Sequence, residues 1–297
     1  MKTVVGPFRR FRRLMVSNVY LLDGGLGDRW LVDSGHWSER LQLLSELRST
    51  GLRPSELTGV LLTHRHSDHA GNAAYLQREH GVKVLCHRAD AAVLDGSTPR
   101  FRLGLKGNPL ERALGAFENA FPARLRVDRA LDHGDTVAGL AVHLLPGHTE
   151  GSVFFLHEST GCLLTGDTLL TARPPLTLFG AVMPAYDAFS MDTRSAHDAL
   201  DAFHAQGWRY EHVLAGHGSP MVGDARRRVI AGLERRDAGA DRLPCCTDDQ
   251  YRDPRCCPNS TPSAPSASSG DRPTRRRWSL ARRSWRSPRS RSSTATG

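Results

Sequence analysis

Long apolar runs are missing from this chain. No stretch of 18 or more apolar residues occurs among its 297, so no transmembrane helix is predicted. Lysine is nearly missing as well, with 3 residues against 37 arginines. That skew matches GC-rich coding DNA better than any need for guanidinium chemistry. Cysteine is sparse, and its spacing is wrong for metal. Cys86 and Cys162 stand singly in strand-like segments and read as small buried hydrophobes. The other four form two adjacent pairs, Cys245 with Cys246 and Cys256 with Cys257. A zinc knuckle needs two residues between its thiolates, so no structural metal site is expected there. Residues 244–297, finally, contain one Leu and no Val, Ile or Phe.

This last absence divides the chain. Residues 244–297 hold 11 Arg and 4 Asp, a net of +7 within the formal +9 of the whole, so residues 1–243 carry only about +2. The basic balance therefore describes the tail, and nucleic-acid binding by the main body gains little support from it. A segment so poor in apolar side chains cannot bury enough surface to offset its ordering entropy. Residues 1–243 are expected to form one domain. Residues 244–297 read as a disordered Ser/Pro/Arg-rich tail, or as the product of a shifted reading frame, since composition breaks where a helix would naturally continue. Nucleic-acid binding through the tail's Arg clusters is the reading from a different class. The N-terminal MKTVVGPFRRFRRLMVSNVYLL is basic, and Ser17 and Asn18 interrupt its apolar run. It lacks a small-residue cleavage site and reads as the first strand, with a cytoplasmic location expected.

The body alternates short apolar runs with helical patterns. SNVYLLD (17–23) and RWLVD (29–33) look like a hairpin across GGLGD. Strands are expected at TGVLLT (58–63), VKVLC (82–86), LRVDRAL (125–131), LAVHLLP (140–146), SVFFLHE (152–158), CLLTGD (162–167) and HVLAG (212–216). Helical spacing marks residues 37–49, the stretch after His69, HRADAAVL (87–94), Leu110–Ala120, SAHDALDAFHAQ, and DARRRVIAGLERR with Asp224 as N-cap. Strands with a helix pair, twice over, suggest two sheets packed face to face with helices outside. The expected class is α/β, a four-layer αββα sandwich.

The chemistry concentrates in THRHSDHAG (63–71), which places His64, His66, Asp68 and His69 within six positions. With 14 histidines in 297 residues, composition alone does not produce such a cluster. His64 and His66 lie two apart just past a buried strand, so in extended backbone both point to one side and can reach one metal ion. Asp68 and His69 follow as the chain turns into a helix and can face a second ion. Imidazole nitrogen with carboxylate oxygen suits Zn²⁺ and also fits Fe or Mn. Four ligands cannot complete two sites. Three later strand ends offer more: PGHTEGS with His148, LLTGDTLL with Asp167, and VLAGHGS with His217, each beside small residues that permit close approach.

In this order the motifs WLVDSG, THRHSDHAG, PGHTEGS, TGDT and AGHG resemble those of the metallo-β-lactamase-fold hydrolase superfamily, over roughly residues 15–235. The resemblance implies the four-layer αββα fold and usually two zinc ions, with iron in some members. It implies that His64, His66 and His148 hold one metal, that Asp68, His69 and His217 hold the other, and that Asp167 bridges them. A metal-bridging hydroxide would be the nucleophile, with Asp68 as the catalytic carboxylate that orients it or takes its proton. Asp33 would steady a ligand histidine or its loop.

Fold alone does not name a substrate. Quorum-signal lactonases place a tyrosine where this chain has Leu170. Glyoxalase II enzymes end on a Gly-His-Glu-Tyr context where this chain has GHGS, and Asn72 stands where a second glycine is usual. What remains is a dinuclear metal-dependent hydrolase of a small ester, thioester, lactone or amide. The alternatives within that class are a glyoxalase II-like thioesterase and a lactonase. Residues 96–126 and 171–191 are expected to shape the pocket, the second as an apolar wall carrying Pro174, Pro175, Phe179, Met183, Pro184, Tyr186 and Phe189. Of the other histidines, His36 follows the Asp33 turn and His133 sits in a turn before Gly134, but the sequence places neither at the site.

Overall fold

A computed structural model describes residues 1–25, 27–103, 106–172 and 180–237. The expectations for residues 244–297, and for Pro174, Pro175 and Phe179, lie outside the described residues. The first sheet runs in chain order as β1 (Lys2–Val5), β2 (Phe8–Arg10), β3 (Tyr20–Asp23), β4 (Arg29–Val32), β5 (Gly59–Leu61), β6 (Lys83–His87) and β7 (Arg129–Leu131). Its first four strands pair antiparallel and the rest parallel. The second sheet begins with β8 (Thr136–Val137), β9 (Leu140–Leu144), β10 (Val153–His157) and β11 (Cys162–Gly166). A separate antiparallel pair, β12 (Leu169–Ala172) and β13 (Gly180–Pro184), follows it in the chain. β14 (His212–Ala215) and β15 (Met221–Val222) complete the second sheet, in the order β15-β14-β11-β10-β9-β8.

The helices are α1 (Arg40–Arg48), α2 (Ser67–Ala70), α3 (Ala73–His80), α4 (Arg88–Leu94), α5 (Pro109–Ala120), α6 (Thr193–Ala205) and α7 (Ala225–Asp237). Side-chain alternation along the strands builds the layers. Leu21, Leu31, Val60 and Val84 point outward from the first sheet and pack with Leu43 and Leu47 of α1 and Leu76 of α3. Their neighbours Tyr20, Leu22, Trp30, Val32 and Leu61 point inward and meet Val142, Phe155 and Leu164 of the second sheet. On that sheet's outer face, Phe154, Leu156 and Leu163 pack with Leu200 and Phe203 of α6 and Val229 of α7. Helix, sheet, sheet, helix is the expected four-layer sandwich. Cys86 and Cys162 are fully buried in the first and second of these clusters, as small hydrophobes should be.

Among the boundaries that differ from the sequence reading, two have a visible local cause. The N-terminal run forms two strands ahead of β3, because Gly6 at φ 49° and Pro7, which has no N–H, turn the chain between β1 and β2. The strand expected over 125–131 is confined to Arg129–Leu131. There the Asp128 carboxylate accepts from Val84 N at 2.8 Å, taking a ladder donor with a side chain. Asp224 stands at the N-cap position before α7, with φ 51°; its carbonyl accepts from Arg228 N at 3.2 Å and its carboxylate from Arg227 Nε at 2.6 Å.

Candidate metal centre

Apart from Asp68 and His69, which lie in α2, the motif residues follow strand ends. Asp33 follows β4, His64 and His66 follow β5, His148 follows β9, Asp167 follows β11 and His217 follows β14. Such backbone is held by ladder bonds on one side and is free to present side chains on the other. Two groups result. His64, His66 and His148 offer nitrogens within 4.8 Å of one another, and so do Asp68, His69, Asp167 and His217 with nitrogens and oxygens. All seven residues singled out by sequence are thus brought together.

In the first group, His64 Nε2 and His148 Nε2 are 3.2 Å apart. The His66 ring lies 4.9 Å from that of His64 and 4.6 Å from that of His148. Hydroxyls occupy the other ring nitrogens: Thr63 Oγ1 is 3.1 Å from His64 Nδ1, and Ser190 Oγ is 3.0 Å from His148 Nδ1. The Nε2 atoms are left to face one point. Burial pushes all three imidazoles below their ordinary pKa, His148 to about 4. Neutral imidazole is the ligating form.

The second group carries the negative charge. His217 Nε2 is 3.2 Å from both Asp68 Oδ2 and Asp167 Oδ2, and His69 Nε2 is 3.3 Å from Asp167 Oδ1. Asp167 Oδ2 also reaches to 3.8 Å from His148 Nε2, so this one carboxylate spans both groups. Burial opposes a charged His217, but Asp167 and Asp68 outweigh it and raise the imidazole to about 10. Two carboxylates converging on imidazole nitrogens form a hole for positive charge. His66 Nε2, His69 Nε2 and Asp167 Oδ1 are buried and make no hydrogen bond. Orphaned buried polar atoms are costly; these three point into the two clusters and have the donor chemistry of Zn, Fe or Mn ligands. The residues fit a pair of divalent cations.

The support beneath these side chains is specific. Asp33 adopts φ 61°, a left-handed conformation that costs about 1 kcal/mol and that Asp tolerates better than most. Its carboxylate accepts from His69 Nδ1 at 2.8 Å, from Thr63 N at 2.8 Å and from Thr63 Oγ1 at 2.9 Å. It therefore fixes both a ring and the loop entering the cluster. A Cβ on Gly216 would stand 2.3 Å from Asp167 Oδ1, and one on Gly166 would stand 2.6 Å from Thr63 Oγ1. Glycine at both places lets strand ends approach this closely. Asn72, the departure from the usual glycine, donates Nδ2 to Ser34 O at 2.9 Å and to His36 O at 3.0 Å. It clamps the segment after Asp33.

Sequence reasoning missed several supports. Arg65, between two of the histidines, is fully buried. Its Nε donates to Glu150 at 2.9 Å and lies 3.7 Å from Asp90. Asp90 in turn accepts from Thr149 Oγ1 and Gly151 N, which ties the loop bearing His148 to α4. Glu118 of α5 accepts from Ser67 N at 3.1 Å and from Arg100 at 2.6 Å. Nothing local in the sequence pairs residues 18 to 85 positions apart, so no pattern could have revealed these partners. His133, in the turn before Gly134, accepts from Leu144 N and packs on His143. His36 packs at the rim, 5.0 Å from Trp37 and 6.1 Å from Phe117.

The family model described as the metallo-beta-lactamase superfamily matches residues 12–207. The chain belongs to the metallo-beta-lactamase superfamily. A hydroxyacylglutathione hydrolase from Anaeromyxobacter dehalogenans is 39% identical over 167 residues, 56% of this chain and 51% of that one. The chain thus spans about half the length of that relative. An uncharacterized Mycobacterium leprae protein is 33% identical over 228 residues, covering 74% of this chain and 95% of that one. Among solved structures, a metallo-beta-lactamase family protein from Thermus thermophilus aligns with a TM-score of 0.56 at 24% identity, over 78% of this chain and 80% of that one. A second, TTHA1623 in a di-iron-bound form, aligns with a TM-score of 0.51 at 26% identity, over 75% and 94%. Among the described residues of this superfamily member, no helix is long and apolar enough to cross a membrane.

Proposed function

We propose that this chain is a dinuclear metal-dependent hydrolase of a small acyl compound, with a thioester or ester as the favoured substrate class. The observation that carries the reading is the pair of ligand groups spanned by Asp167, with three of their buried atoms left without hydrogen bonds. His64, His66 and His148 would hold one cation, Asp68, His69 and His217 the other, and Asp167 both. Zinc suits the donor set, and iron or manganese also fits. Bound cations of this kind lower the pKa of a shared water and polarise a carbonyl oxygen.

The chain's own groups do the rest. Asp68 is the more open of the two site carboxylates, with a quarter of its side chain exposed. Burial opposes its ionisation, but His69 and His217 outweigh that and hold its pKa below the ordinary value. It is therefore ionised at neutral pH and placed to take a proton from attacking water. Asp33 keeps His69 oriented, and Ser190 does the same for His148. Thioesters are favoured because the name of the 39% identical relative denotes hydrolysis of a hydroxyacyl thioester. A lactonase is the second reading, but Leu170, buried at 1% exposure, puts no phenol beside the site. We further propose that the hydrolase body ends near residue 243, so that removing 244–297 leaves turnover unchanged.

Metal analysis of the purified chain beside a panel of thioesters, esters, lactones and amides tests the reading. Two cations per chain and turnover of at least one acyl class are expected. Folded protein with fewer than about one cation per chain, unaltered by His66→Ala, would end it.

A further inference from the structure

The described residues expose large apolar side chains in a restricted region. All but Val222 fall within residues 15–16, 37–41 and 101–121. These segments converge beside the metal centre. Ser17 Oγ donates to Asp68 O at 2.5 Å, and Met15 N donates to Glu39 at 2.6 Å, in the turn that begins at Trp37. Trp37 stacks on Phe117, and Phe117 lies 4.9 Å from Phe121.

Helix α5 is built inside out. Leu110, Leu114 and Phe117, continued by Phe121, recur at one-face spacing and are exposed, while Glu111, Gly115 and Glu118 are buried. The charged face is satisfied: Glu111 accepts from Tyr186 Oη at 2.6 Å, and Glu118 accepts from Ser67 and Arg100. The apolar face is open to solvent. At its C-terminal end lies a cavity of about 290 Å³, lined by Trp37, Ala70, Gly71, Ala74, Phe121 and Pro122. Ser67, between His66 and Asp68, also lines it. Its wall is thus the back of the helix that carries two of the ligands.

We propose that this strip and cavity form the binding site for an aliphatic acyl chain of the substrate, leaving the scissile carbonyl at the metal centre. This rests on the hydrolase reading and gives it a substrate class: medium- to long-chain acyl thioesters or esters. The strip adjoins the segment that bears Asp68 through Ser17 and Ser67, which favours an extension of the substrate over a separate partner. The exposed face of α5 runs about 16 Å, long enough for an extended chain rather than a single methyl.

The test uses the metal-loaded full chain, a series of acyl thioesters of N-acetylcysteamine from acetyl to dodecanoyl, and the matching S-alkyl thioethers, which cannot be hydrolysed. kcat/KM and thioether affinity should both rise about two- to fourfold per added methylene, as expected for burial of CH₂ groups. Phe121→Ser, which removes apolar surface, and Ala74→Trp, which fills the cavity, should each lower the dodecanoyl-to-acetyl ratio by about tenfold. Both positions are at least partly exposed, so folding should survive. If no thioester is turned over but dodecyl thioether binding is still weakened tenfold by Phe121→Ser, the chain site stands and the hydrolase reading falls. A flat dependence on chain length in binding and turnover overturns the proposal. So does binding to neutral phospholipid vesicles, or a dimer dispersed by Phe121→Ser, without that chain-length dependence. The strip would then belong to a membrane surface or to a second copy.

Discussion

At the scale of single residues, two buried aspartates of the proposed metal site, Asp167 and Asp33, carry separable burdens. Asp167 touches both ligand groups, so Asp167→Ala should cost cation binding at both, read as metal content per chain after gel filtration. Loss of only one equivalent would remove the bridging assignment. Asp33 touches no cation position but holds His69 Nδ1 and the Thr63 backbone. Asp33→Ala should weaken metal affinity by about 10–100-fold, the usual effect of removing a partner behind a ligand. Chelator competition at fixed pH measures it. These roles were partly legible in the sequence. The aspartates sit in short motifs whose local geometry follows from strand ends, whereas Ser190 and Arg65 gave no signal because their partners are remote in sequence.

At the scale of elements, the loops are pinned to helices by charge. The Arg65 guanidinium is buried between Asp90 of α4 and Glu150 of the His148 loop. Burial pushes the Asp90 carboxyl up to about 6, against the opposing pull of Arg65. Asp90→Ala would leave Arg65 short of a counter-charge and Thr149 and Gly151 without an acceptor. Breaking such a buried pair costs about 3–5 kcal/mol. For a body of this size that corresponds to a melting temperature about 10 °C lower. Calorimetry on metal-loaded protein would check it, and a drop of under 2 °C would mean the network is dispensable. Helix α5 shows the limit of pattern reading at this scale. Its apolar periodicity predicts a helix correctly, but the usual inference that the apolar face packs inward fails, because Glu111 and Glu118 find buried partners in other segments.

At the scale of the whole molecule, acid should unfold the chain partly through histidines remote from the metal centre. His143 is buried against Phe203 and Trp208 with neither ring nitrogen hydrogen-bonded, and burial lowers its pKa to about 4. His204, 2.8 Å from Tyr210 Oη, is also lowered to about 4, chiefly by burial. The unfolded chain takes up these protons near pH 6.5, while the folded chain does so only near pH 4. Stability contributed above pH 6.5 is therefore lost as pH falls from 6.5 through 4, on the order of 2 kcal/mol for His143. In urea titrations, His143→Phe should flatten the pH dependence relative to wild type within that window and leave it unchanged above pH 7. An equal slope in both proteins would show that His143 does not titrate as its burial implies.

Much of this protein was determined by local pattern alone. Period-two and helical apolar spacing specified two sheets and their covering helices, because each element must bury one face. The strand-end motifs named seven residues, because metal chemistry restricts ligands to a few side chains on constrained backbone. Tertiary structure decided what depends on distant pairs. It brought His148, Asp167 and His217 to within reach of THRHSDHAG, tied Arg65 to Asp90 and Glu150, and turned the apolar face of α5 outward. A contact between residues far apart in sequence costs loop entropy and is set by the packing of whole layers, so no short stretch of the chain records it.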